Sequence, residues 1–395
     1  MTRSLLRSRH AHGHARVTNI ELFFDLVFAF AVTQLSHALL SDLSPSGAIH
    51  TLLLFLAVWW VWICTSWCTN WLDPERPPVR LLLLAMMLVG LVLSTAIPDA
   101  FGAAGPIFAG AYVTIQVGRT LFMLWGLGDA SPSNTRNFQR FLVWLLVSAG
   151  FWLAGAARTG ETRLLLWAVA LGLEYLGPWQ GFRVPGLGRS RTEDWDVEGG
   201  HLAERCSQFI IIALGESVLV TGATFGNLHW SNAVLLGFAA NLVGSIAMWW
   251  IYFDRAVERG SAHIARAADP GRLARLAYTY VHLLIVAGII VEAVSDDLVL
   301  VQPGGLAATP FIACTLGAPA VYLVGNILFK WPIAGIPPLS HLVGLVLLGL
   351  LIPFAWELSP LLLGAASSAA LVVTAVWETV SLGRGAREHP HPSQR

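Results

Sequence analysis

The stretch Glu21–Leu35, ELFFDLVFAFAVTQL, places two acidic residues four positions apart at the start of an apolar segment. Four positions are about one turn of an α-helix, so Glu21 and Asp25 would lie on one helix face. In a soluble protein both carboxylates could stay in water. Whether this chain allows that depends on the solvent around the segment, and the composition of the whole chain answers the question.

Apolar residues make up 55% of the 395 residues and charged residues only 12%. This charged share is about half that of an ordinary globular domain. Apolar runs of about 20 residues recur from end to end, and such runs can cross a hydrocarbon core of about 30 Å as helices. The composition therefore predicts an all-α polytopic membrane protein without a soluble domain.

We predict about twelve transmembrane helices, each about 17 to 25 residues long. Their starts are expected near Asn19, Ala48, Val79, Ala104, Asn137, Thr162, Leu202, Ser231, Arg272, Thr309, His341 and Pro360. With a cytoplasmic N-terminus, the inner segments hold all of the 24 Lys and Arg residues except Arg119, Arg158, Arg163 and Arg205. This bias follows the positive-inside rule, so both termini are expected in the cytoplasm.

The two halves of the chain resemble each other in three places. IELFFDLVFAF (20–30) matches AERCSQFIIIA (203–213), AVWWVW (57–62) matches AMWWIY (247–252), and VGRTLF (117–122) matches VGNILF (324–329). Three matches in the same order predict two tandem six-helix repeats of parallel topology, with a pathway at their interface. A duplicated helical scaffold without a pathway is the alternative.

The expected organisation has five parts. They are a cytoplasmic Arg/His-rich tail (1–18), repeat 1 (19–182), a cytoplasmic linker (183–201), repeat 2 (202–382) and a cytoplasmic tail (383–395).

Ionisable residues inside the spans are the candidate functional residues, since a charge at the bilayer centre costs about 2.5–3.5 kcal/mol. Glu21 also has a structural interpretation, because Thr18 and Glu21 have the spacing of a capping box. A group of charged residues is expected at similar depth on the inner side, where the arginines would pair with the acids. Its members are Glu21, Asp25, Arg119, Glu174, Glu204 and Arg205. The group is either the polar mouth of a pathway or an ion-pair network that locks the helices.

Glu216, in ALGES (213–217), lies about fourteen residues into the seventh span, near the membrane midplane. Lys and Arg are absent at comparable depth in every span, so its carboxyl group should be protonated, hydrogen-bonded or facing water. His282 is a candidate partner, although a packed and hydrogen-bonded His is the commoner case. Glu292 and Glu378 lie near predicted span ends and are expected to reach the membrane surface.

We expect no cofactor and no bound metal. Cys64 and Cys68 share a helix face, and histidines occur in RHAHGHAR (9–16) and HPHP (389–392), but inert packing and solvated tails explain them more simply. H-E-x-x-H, G-x-S-x-G, P-loop and Gly-rich dinucleotide signatures are absent from the sequence. The chain is therefore not expected to be an enzyme, and a lipid-modifying activity is kept only as an alternative.

VTNIELFFDLVFAFAVTQLSH (17–37) and HLAERCSQFIIIALGESVL (201–219) resemble the bacterial low-temperature-requirement A family. Length and span count fit that family over nearly the whole chain. The resemblance implies a multi-pass protein of the bacterial inner (plasma) membrane. A cold-related phenotype would follow from the family's name, which identifies no chemistry.

The stretch 25–35 is also similar, more distantly, to the F-S-D-G-V-F-A-I-A-I-T-L-L signature of a potassium-channel family of lysosomes and bacteria. The matching residues are Asp25, Val27, Phe28, Ala29, Ala31, Thr33 and Leu35. Those channels consist of six-span repeats whose first helix lines the pore. Here Phe24 and Leu26 replace the Ser and Gly of the signature, and Glu21 stands where that family has an Arg. The similarity implies a shared architecture and does not carry potassium selectivity over.

Together these features predict an ion or proton channel or transport pathway between two six-helix repeats, lined by the first and seventh spans. Glu21 and Asp25 would form its inner mouth, Phe28 and Val32 its constriction, and Glu216 its titratable midplane group. The alternatives are a secondary transporter of an unidentified solute, a non-transporting scaffold and the lipid-modifying enzyme. The expected partners are membrane lipid and monovalent cations or protons, without nucleic acid; a homo-oligomer is an alternative to a monomer.

Overall fold

The computed structural model describes residues 5–7, 16–128, 131–191, 195, 198–254 and 270–388. These parts of the chain form no β-strand, only two isolated bridges, from Leu6 to Leu72 and from Val184 to Gly188. The histidines of RHAHGHAR and the stretch HPHP (389–392) lie outside the described residues. The described fold is therefore all-helical.

Twelve helices of 13 to 29 residues follow one another in the described ranges. They are α1 (Asn19–Ser41), α2 (Pro45–Trp71), α3 (Pro77–Thr95), α4 (Gly105–Leu127), α5 (Pro132–Ala156), α6 (Gly160–Leu176), α7 (Gly199–Asn227), α8 (Asn232–Phe253), α9 (His282–Val301), α10 (Thr309–Ala334), α11 (Leu339–Leu351) and α12 (Pro360–Glu388). A short helix (Pro270–Ala274) and a π-helical turn (Arg275–Val281) lead directly into α9.

Several helices begin at proline and serine residues that favour a helix start. Proline occupies the first turn of α2, α3 and α5, where its missing N–H costs no hydrogen bond. At α2, the Ser44 hydroxyl oxygen accepts a hydrogen bond from the Gly47 N–H at 3.1 Å. The largest difference from a predicted start is at α9, expected near Arg272 and observed from His282, because the short helix and the π-helical turn come before it. The helix α5, expected near Asn137, begins at Pro132, because Pro132 initiates the helix inside the expected loop.

Nine of the described helices are long and apolar enough to cross a membrane. The other three fall short for different reasons. α6 has 17 residues, α11 has 13, and α9 has 20 residues but carries Glu292, Asp296 and Asp297. The helix α11 is therefore shorter than the expected 17 to 25 residues. Four helices are longer than expected, namely α2 with 27 residues, α10 with 26, and α7 and α12 with 29 each.

The chain divides into two compact units. Unit 1 comprises Met1–Ile212 and Ile264–Thr279, and unit 2 comprises Ala213–His263 and Tyr280–Arg395. The helix α7 belongs to unit 1 as far as Ile212 and to unit 2 from Ala213.

The core of unit 1 is built around α2. Trp59, Trp60 and Trp62 of that helix are almost completely buried. Phe209 of α7 packs against two of them, with its ring centroid 5.7 Å from that of Trp59 and 4.3 Å from that of Trp62. The Trp59 indole N–H donates to the Thr279 carbonyl oxygen at 2.8 Å. These contacts fix the first half of α7 and the π-helical turn against α2.

The core of unit 2 is built around α9, which packs closely along α10. Gly288 of α9 faces Ala318 and Tyr322 of α10, and Gly325 of α10 faces Ile285 of α9. Small residues at both positions let the two backbones approach, as in helix pairs of membrane proteins. Two acidic side chains of α9, Glu292 and Asp296, are buried in the interior of unit 2.

Candidate functional site

Two acids of α1 meet two basic residues of α7 inside unit 1. Glu21 Oε1 lies 2.9 Å from His201 Nε2, and Asp25 Oδ1 lies 2.9 Å from Arg205 Nη2. Both pairs of positions are four residues apart, so the two helices form a ladder with two rungs. All four side chains are fully buried. We call Glu21, Asp25, His201 and Arg205 the charged ladder.

The Glu21 rung organises the start of α1. Glu21 Oε2 accepts hydrogen bonds from the Thr18 N–H and hydroxyl, both at 2.9 Å, and from Arg7 Nη2 at 3.0 Å. The capping box predicted from the sequence is present. His201 Nδ1 lies 3.4 Å from the Asn70 amide nitrogen. Every polar atom of Glu21 therefore has a protein partner, which is what a structural carboxylate requires.

The Asp25 rung is only partly satisfied. Asp25 Oδ1 accepts a second hydrogen bond, from the Trp62 indole N–H at 2.8 Å. The Arg205 guanidinium lies 5.7 Å from the centroid of the Trp62 ring, and its Nη2 donates to Ser66 Oγ at 3.3 Å. Asp25 Oδ2 and Arg205 Nη1 have no hydrogen-bond partner among the described residues. The ion pair between Asp25 and Arg205 thus leaves one acceptor atom and one donor atom without a partner, although buried polar atoms normally have one.

Glu204 lies next to the ladder without joining it. Its Oε2 accepts a hydrogen bond from the Val17 N–H at 3.2 Å, and its Oε1 lies 3.5 Å from the Gln208 amide nitrogen. Glu204 thus contributes to the entry of α1 and not to either rung.

The expected pairing of Arg119 with Asp25 or Glu21 is wrong. Arg119 Nη1 donates to the Val61 carbonyl oxygen at 3.2 Å and to Thr65 Oγ1 at 3.1 Å, and Nη2 donates to the Gln116 side-chain oxygen. The guanidinium of Arg119 therefore contacts α2 and not α1, although Arg119 and Asp25 have similar depth in their spans. The single group of charges expected on the inner side is therefore two separate networks.

Glu174 forms the second network with neutral donors. Its Oε2 accepts hydrogen bonds from the Tyr112 hydroxyl at 2.6 Å and from the Gln116 amide at 3.1 Å. Its Oε1 accepts from the Trp152 indole N–H at 3.1 Å and from the Ser148 hydroxyl. Four donors satisfy this buried carboxyl group, and Gln116 connects it to Arg119.

In unit 2, α9 carries three acids, and their position within this helix was not predicted from the sequence. Glu292 was expected near the outer end of its span and at the membrane surface, which is wrong, because α9 continues to Val301, about 14 Å beyond it. Glu292 is 6% exposed and Asp296 3% exposed. Asp296 and Asp297 were not considered. The signal for them is the run VEAVSDDLVLV (291–301), in which apolar residues resume after the acids.

Hydroxyl groups of α7 face these acids. Thr221 Oγ1 lies 3.5 Å from Asp296 Oδ2, and Thr224 Oγ1 donates to Asp297 Oδ1 at 2.5 Å. Glu292 Oε2 has no hydrogen-bond partner within the described ranges. In that part of the chain, neither Glu292 nor Asp296 forms an ion pair with Lys, Arg or His. We call Glu292 and Asp296 the acid pair.

Glu378 was also expected to reach the surface, and it is instead buried and paired. Lys330 Nζ lies 2.8 and 3.0 Å from its two carboxylate oxygens. The same ammonium group donates to the Ile251 carbonyl oxygen at 2.6 Å, and His341 Nε2 lies 3.3 Å away. Lys330 thus connects α10 to both α8 and α12. A buried carboxylate such as that of Glu378 needs a cation beside it, because an unpaired buried charge is strongly destabilising.

The remaining candidates are not members of the charged ladder. Glu216 is half-buried on the part of α7 that belongs to unit 2. His282 is buried, with Nε2 2.8 Å from the Tyr252 hydroxyl. Phe28 and Val32 are buried in unit 1, and the Phe28 ring lies 5.1 Å from that of Phe24. Their roles in a pathway stay predictions.

Metal ligation finds no support in the residues that the structure describes. These contain no group of three or more His, Cys, Asp or Glu side chains placed to hold a metal ion. Cys64, Cys68, Cys206 and Cys314 are all buried and free.

The charged ladder lies within the part of the chain that matches a known family. Residues 16–376 match the bacterial low temperature requirement A protein family. The chain belongs to the bacterial low temperature requirement A (LtrA) family. An uncharacterized protein of Rhizobium meliloti (strain 1021) is 40% identical over 366 residues, which are 92% of this chain and 88% of that protein. No solved structure matches the chain.

Membership of the LtrA family and the apolar helices together make this chain an integral, multi-pass bacterial membrane protein. All four residues of the charged ladder lie within the part of the chain that matches the LtrA family. His201 was missed by sequence reasoning, although HLAER (201–205) repeats the four-residue spacing of ELFFD (21–25).

Proposed function

We propose that this LtrA protein provides an ion or proton pathway across the bacterial inner membrane. The observation that carries the proposal is the acid pair. Glu292 and Asp296 lie one helical turn apart in the interior of unit 2, without a basic partner among the described residues. Two like charges in a low-dielectric interior repel each other and lack hydration, so the pair favours holding a proton or a cation. Groups that take up and release such ions are what a pathway needs.

The proposal includes the arrangement of the chain in the membrane. All twelve helices cross it as two tandem six-helix repeats, and both termini are cytoplasmic. The short helix α11 is extended by an apolar 3-10 turn (Ile352–Phe354), which lengthens its crossing. The distribution of Arg residues supports this orientation.

A contact that recurs in both units supports the repeat. Arg119 of α4 donates to the carbonyl oxygen of Val61 in α2, and Lys330 of α10 donates to the carbonyl oxygen of Ile251 in α8. Val61 and Ile251 occupy the same place in the matching stretches AVWWVW and AMWWIY. In each half, a cation on the fourth helix thus holds the same position of the second helix.

In this proposal the charged ladder forms the inner mouth. Glu21 keeps α1 in place, while the leftover carboxylate oxygen of Asp25 accepts the passing proton or cation and Arg205 holds the other oxygen. Phe28 and Val32 follow Asp25 on one face of α1 and act as the constriction. Glu216 acts as a titratable group at the midplane. Each of these roles is a part of the proposal that substitution tests separately.

A secondary transporter is the second candidate, and one element favours it. The π-helical turn Arg275–Val281 interrupts the α-helical path into α9, and Pro319 lies inside the neighbouring α10. Interrupted helices near a buried site are typical of transporters. A solute dependence of proton flux would distinguish this candidate from a simple pathway.

The test is ion flux in proteoliposomes that contain the purified full-length chain. Potassium and proton gradients are applied separately to the wild type and to the variants Glu292→Gln, Asp296→Asn, Glu216→Gln and Asp25→Asn. Glu357→Gln is the matched control, because Glu357 is an exposed acid outside the helices. We expect the acid-pair variants to abolish flux or shift its pH dependence while they remain folded.

The control variant should conduct like the wild type. Absence of flux under both gradients, or flux that is unchanged in Glu292→Gln and Asp296→Asn, would contradict the proposal. The buried carboxyl groups would then be structural.

A further inference from the structure

Unit 1 contains a cavity of about 520 Å³ that the proposed pathway does not use. It is bounded by the second half of α2, the first half of α5, the segment after α6 and the lead-in to α9. Its volume falls within the range of about 300–1,000 Å³ that is typical of small-molecule sites. It reaches from Trp71 at the end of α2 to Trp60, about 16 Å along that helix.

The deep part of the cavity is aromatic. Trp60, Trp71, Phe138 and Phe182 line it and are buried. The Trp71 and Phe138 rings meet edge to face at 5.6 Å, so the wall is rigid. Such a wall accepts a hydrocarbon chain or a flat apolar group and offers little to a small hydrated ion.

The rim of the cavity is basic. Arg189 and Arg191 are exposed on the segment after α6. Arg275 Nη1 donates to the Pro178 carbonyl oxygen at 3.0 Å, and its guanidinium lies 6.0 Å from the centroid of the Trp179 ring. Asp and Glu are absent from the described residues that line the cavity. The charge of the rim is therefore complementary to an anion.

A buried hydroxyl group points to a ligand independently of these charges. Ser190 lines the cavity and is 7% exposed, and its Oγ has no hydrogen-bond partner among the described residues. Its backbone is fixed, because the Ser190 N–H donates to the Gly181 carbonyl oxygen at 2.7 Å. A buried hydroxyl group normally finds a partner, and an oxygen of a bound ligand would supply one.

We propose that this cavity binds an anionic amphiphile, with the chemistry of an acidic phospholipid. The phosphate group lies at the rim against Arg189, Arg275 and the Ser190 hydroxyl, and an acyl chain lies along the aromatic wall. Arg suits a phosphate because its planar fork donates two parallel hydrogen bonds. Basic pockets between membrane helices bind acidic head groups for the same reason. This site is independent of the proposed ion pathway.

The test is native mass spectrometry of the full-length chain in detergent, with phosphatidylglycerol and phosphatidylcholine of identical acyl chains. Inorganic phosphate and glycerol 3-phosphate are added as competitors that carry the head-group chemistry alone. The variants are Arg189→Gln, Arg275→Gln and Ser190→Ala. Arg183→Gln is the matched control, because Arg183 is exposed on the same segment and does not line the cavity.

We expect phosphatidylglycerol to bind more tightly than phosphatidylcholine, and each cavity arginine to contribute about fivefold to its affinity. Arg183→Gln should bind like the wild type. If Arg275→Gln does not fold, because Arg275 also holds Pro178, the exposed Arg189 decides the outcome.

Three results would overturn the inference. Equal affinity for the two lipids would remove the anionic head group from recognition. An equal loss in Arg183→Gln and Arg189→Gln would leave only the general charge of the surface. Displacement of the lipid by inorganic phosphate alone would show a site for free anions. None of these results changes the expected ion flux, so the two proposals fail separately.

Discussion

Asp25 is bound by groups of unlike chemistry, an indole N–H and a guanidinium, and both approach the same carboxylate oxygen. Trp62 contacts Asp25 through its N–H and Arg205 through the face of its ring. The three side chains therefore form one unit in which each orients the other two. A substitution of any one of the three should change the orientation of the other two.

We expect Arg205→Met to lower the free energy of unfolding by about 3–5 kcal/mol, because it leaves the buried Asp25 without its cation. The double variant Asp25→Leu/Arg205→Met should be markedly more stable than Arg205→Met alone, since it removes both charges. Equilibrium unfolding in detergent micelles, followed by tryptophan fluorescence, measures both values. Arg183→Met serves as the surface control. If the double variant is as unstable as the sum of the two single variants, the rung does not act as a pair.

Single residues also mark where sequence reasoning stops. Arg119, Arg205 and Asp25 were all placed at similar depth, which was enough to expect pairing. Depth along a span says nothing about the direction in which a side chain leaves its helix. Arg205 leaves α7 toward α1, whereas Arg119 leaves α4 toward α2. Rotation of each helix about its axis depends on packing of the whole unit, which one sequence does not disclose.

At the scale of the helices, most starts were predictable and one end was not. Proline and serine at the starts of α2 and α5 carry a local signal that acts within one turn. Near the end of α9 the local sequence is misleading, because Asp296 and Asp297 resemble the beginning of a polar loop although the helix continues to Val301. The helix continues through them because the apolar residues Val299 and Leu300 are still buried within unit 2. Local composition therefore misjudged the depth of Glu292.

The close approach of α9 and α10 gives a prediction for helix packing. A Cβ atom at Gly288 would lie 2.9 Å from the Ala318 carbonyl oxygen and from the Tyr322 nitrogen, and these backbone atoms cannot move aside alone. We expect Gly288→Ala to destabilise the protein by about 1–3 kcal/mol. Thermal unfolding in detergent measures the change.

Gly317→Ala is the matched control on α10, because a Cβ atom at Gly317 would meet nothing within 4 Å. Alanine is a better helix former than glycine, so this control should be neutral or stabilising by up to about 1 kcal/mol. Equal effects at the two glycines would contradict the packing that the structure describes.

At the scale of the whole molecule, composition alone predicted a membrane protein, and the LtrA family and the apolar helices support that class. Neither the acid pair nor the cavity could be predicted in the same way. The acid pair depends on the continuation of α9 past its acidic residues to Val301, and the cavity gathers residues from α2, α5, the segment after α6 and the lead-in to α9. Contacts between parts so distant in sequence leave no local pattern.

The proposed arrangement in the membrane is tested by reporter fusions. Green fluorescent protein fused after Arg395 should fluoresce, and alkaline phosphatase at the same place should be inactive, because both termini are expected in the cytoplasm. Alkaline phosphatase fused after Arg158, between α5 and α6, should be active. An active phosphatase at the C-terminus would require an odd number of crossings and would rule out twelve.

The ladder has a consequence for how the chain is made. Its partners are separated by 180 residues in the sequence. At a synthesis rate of about 5–20 residues per second, α1 emerges roughly 10 to 35 s before His201 and Arg205 exist. During that interval the nascent chain has no native cation from α7 for Asp25. Until then the insertion of the first helix bears the cost of an unpaired Asp25, which is about 2.5–3.5 kcal/mol on insertion scales. The seventh helix completes the site long after the first has been translated.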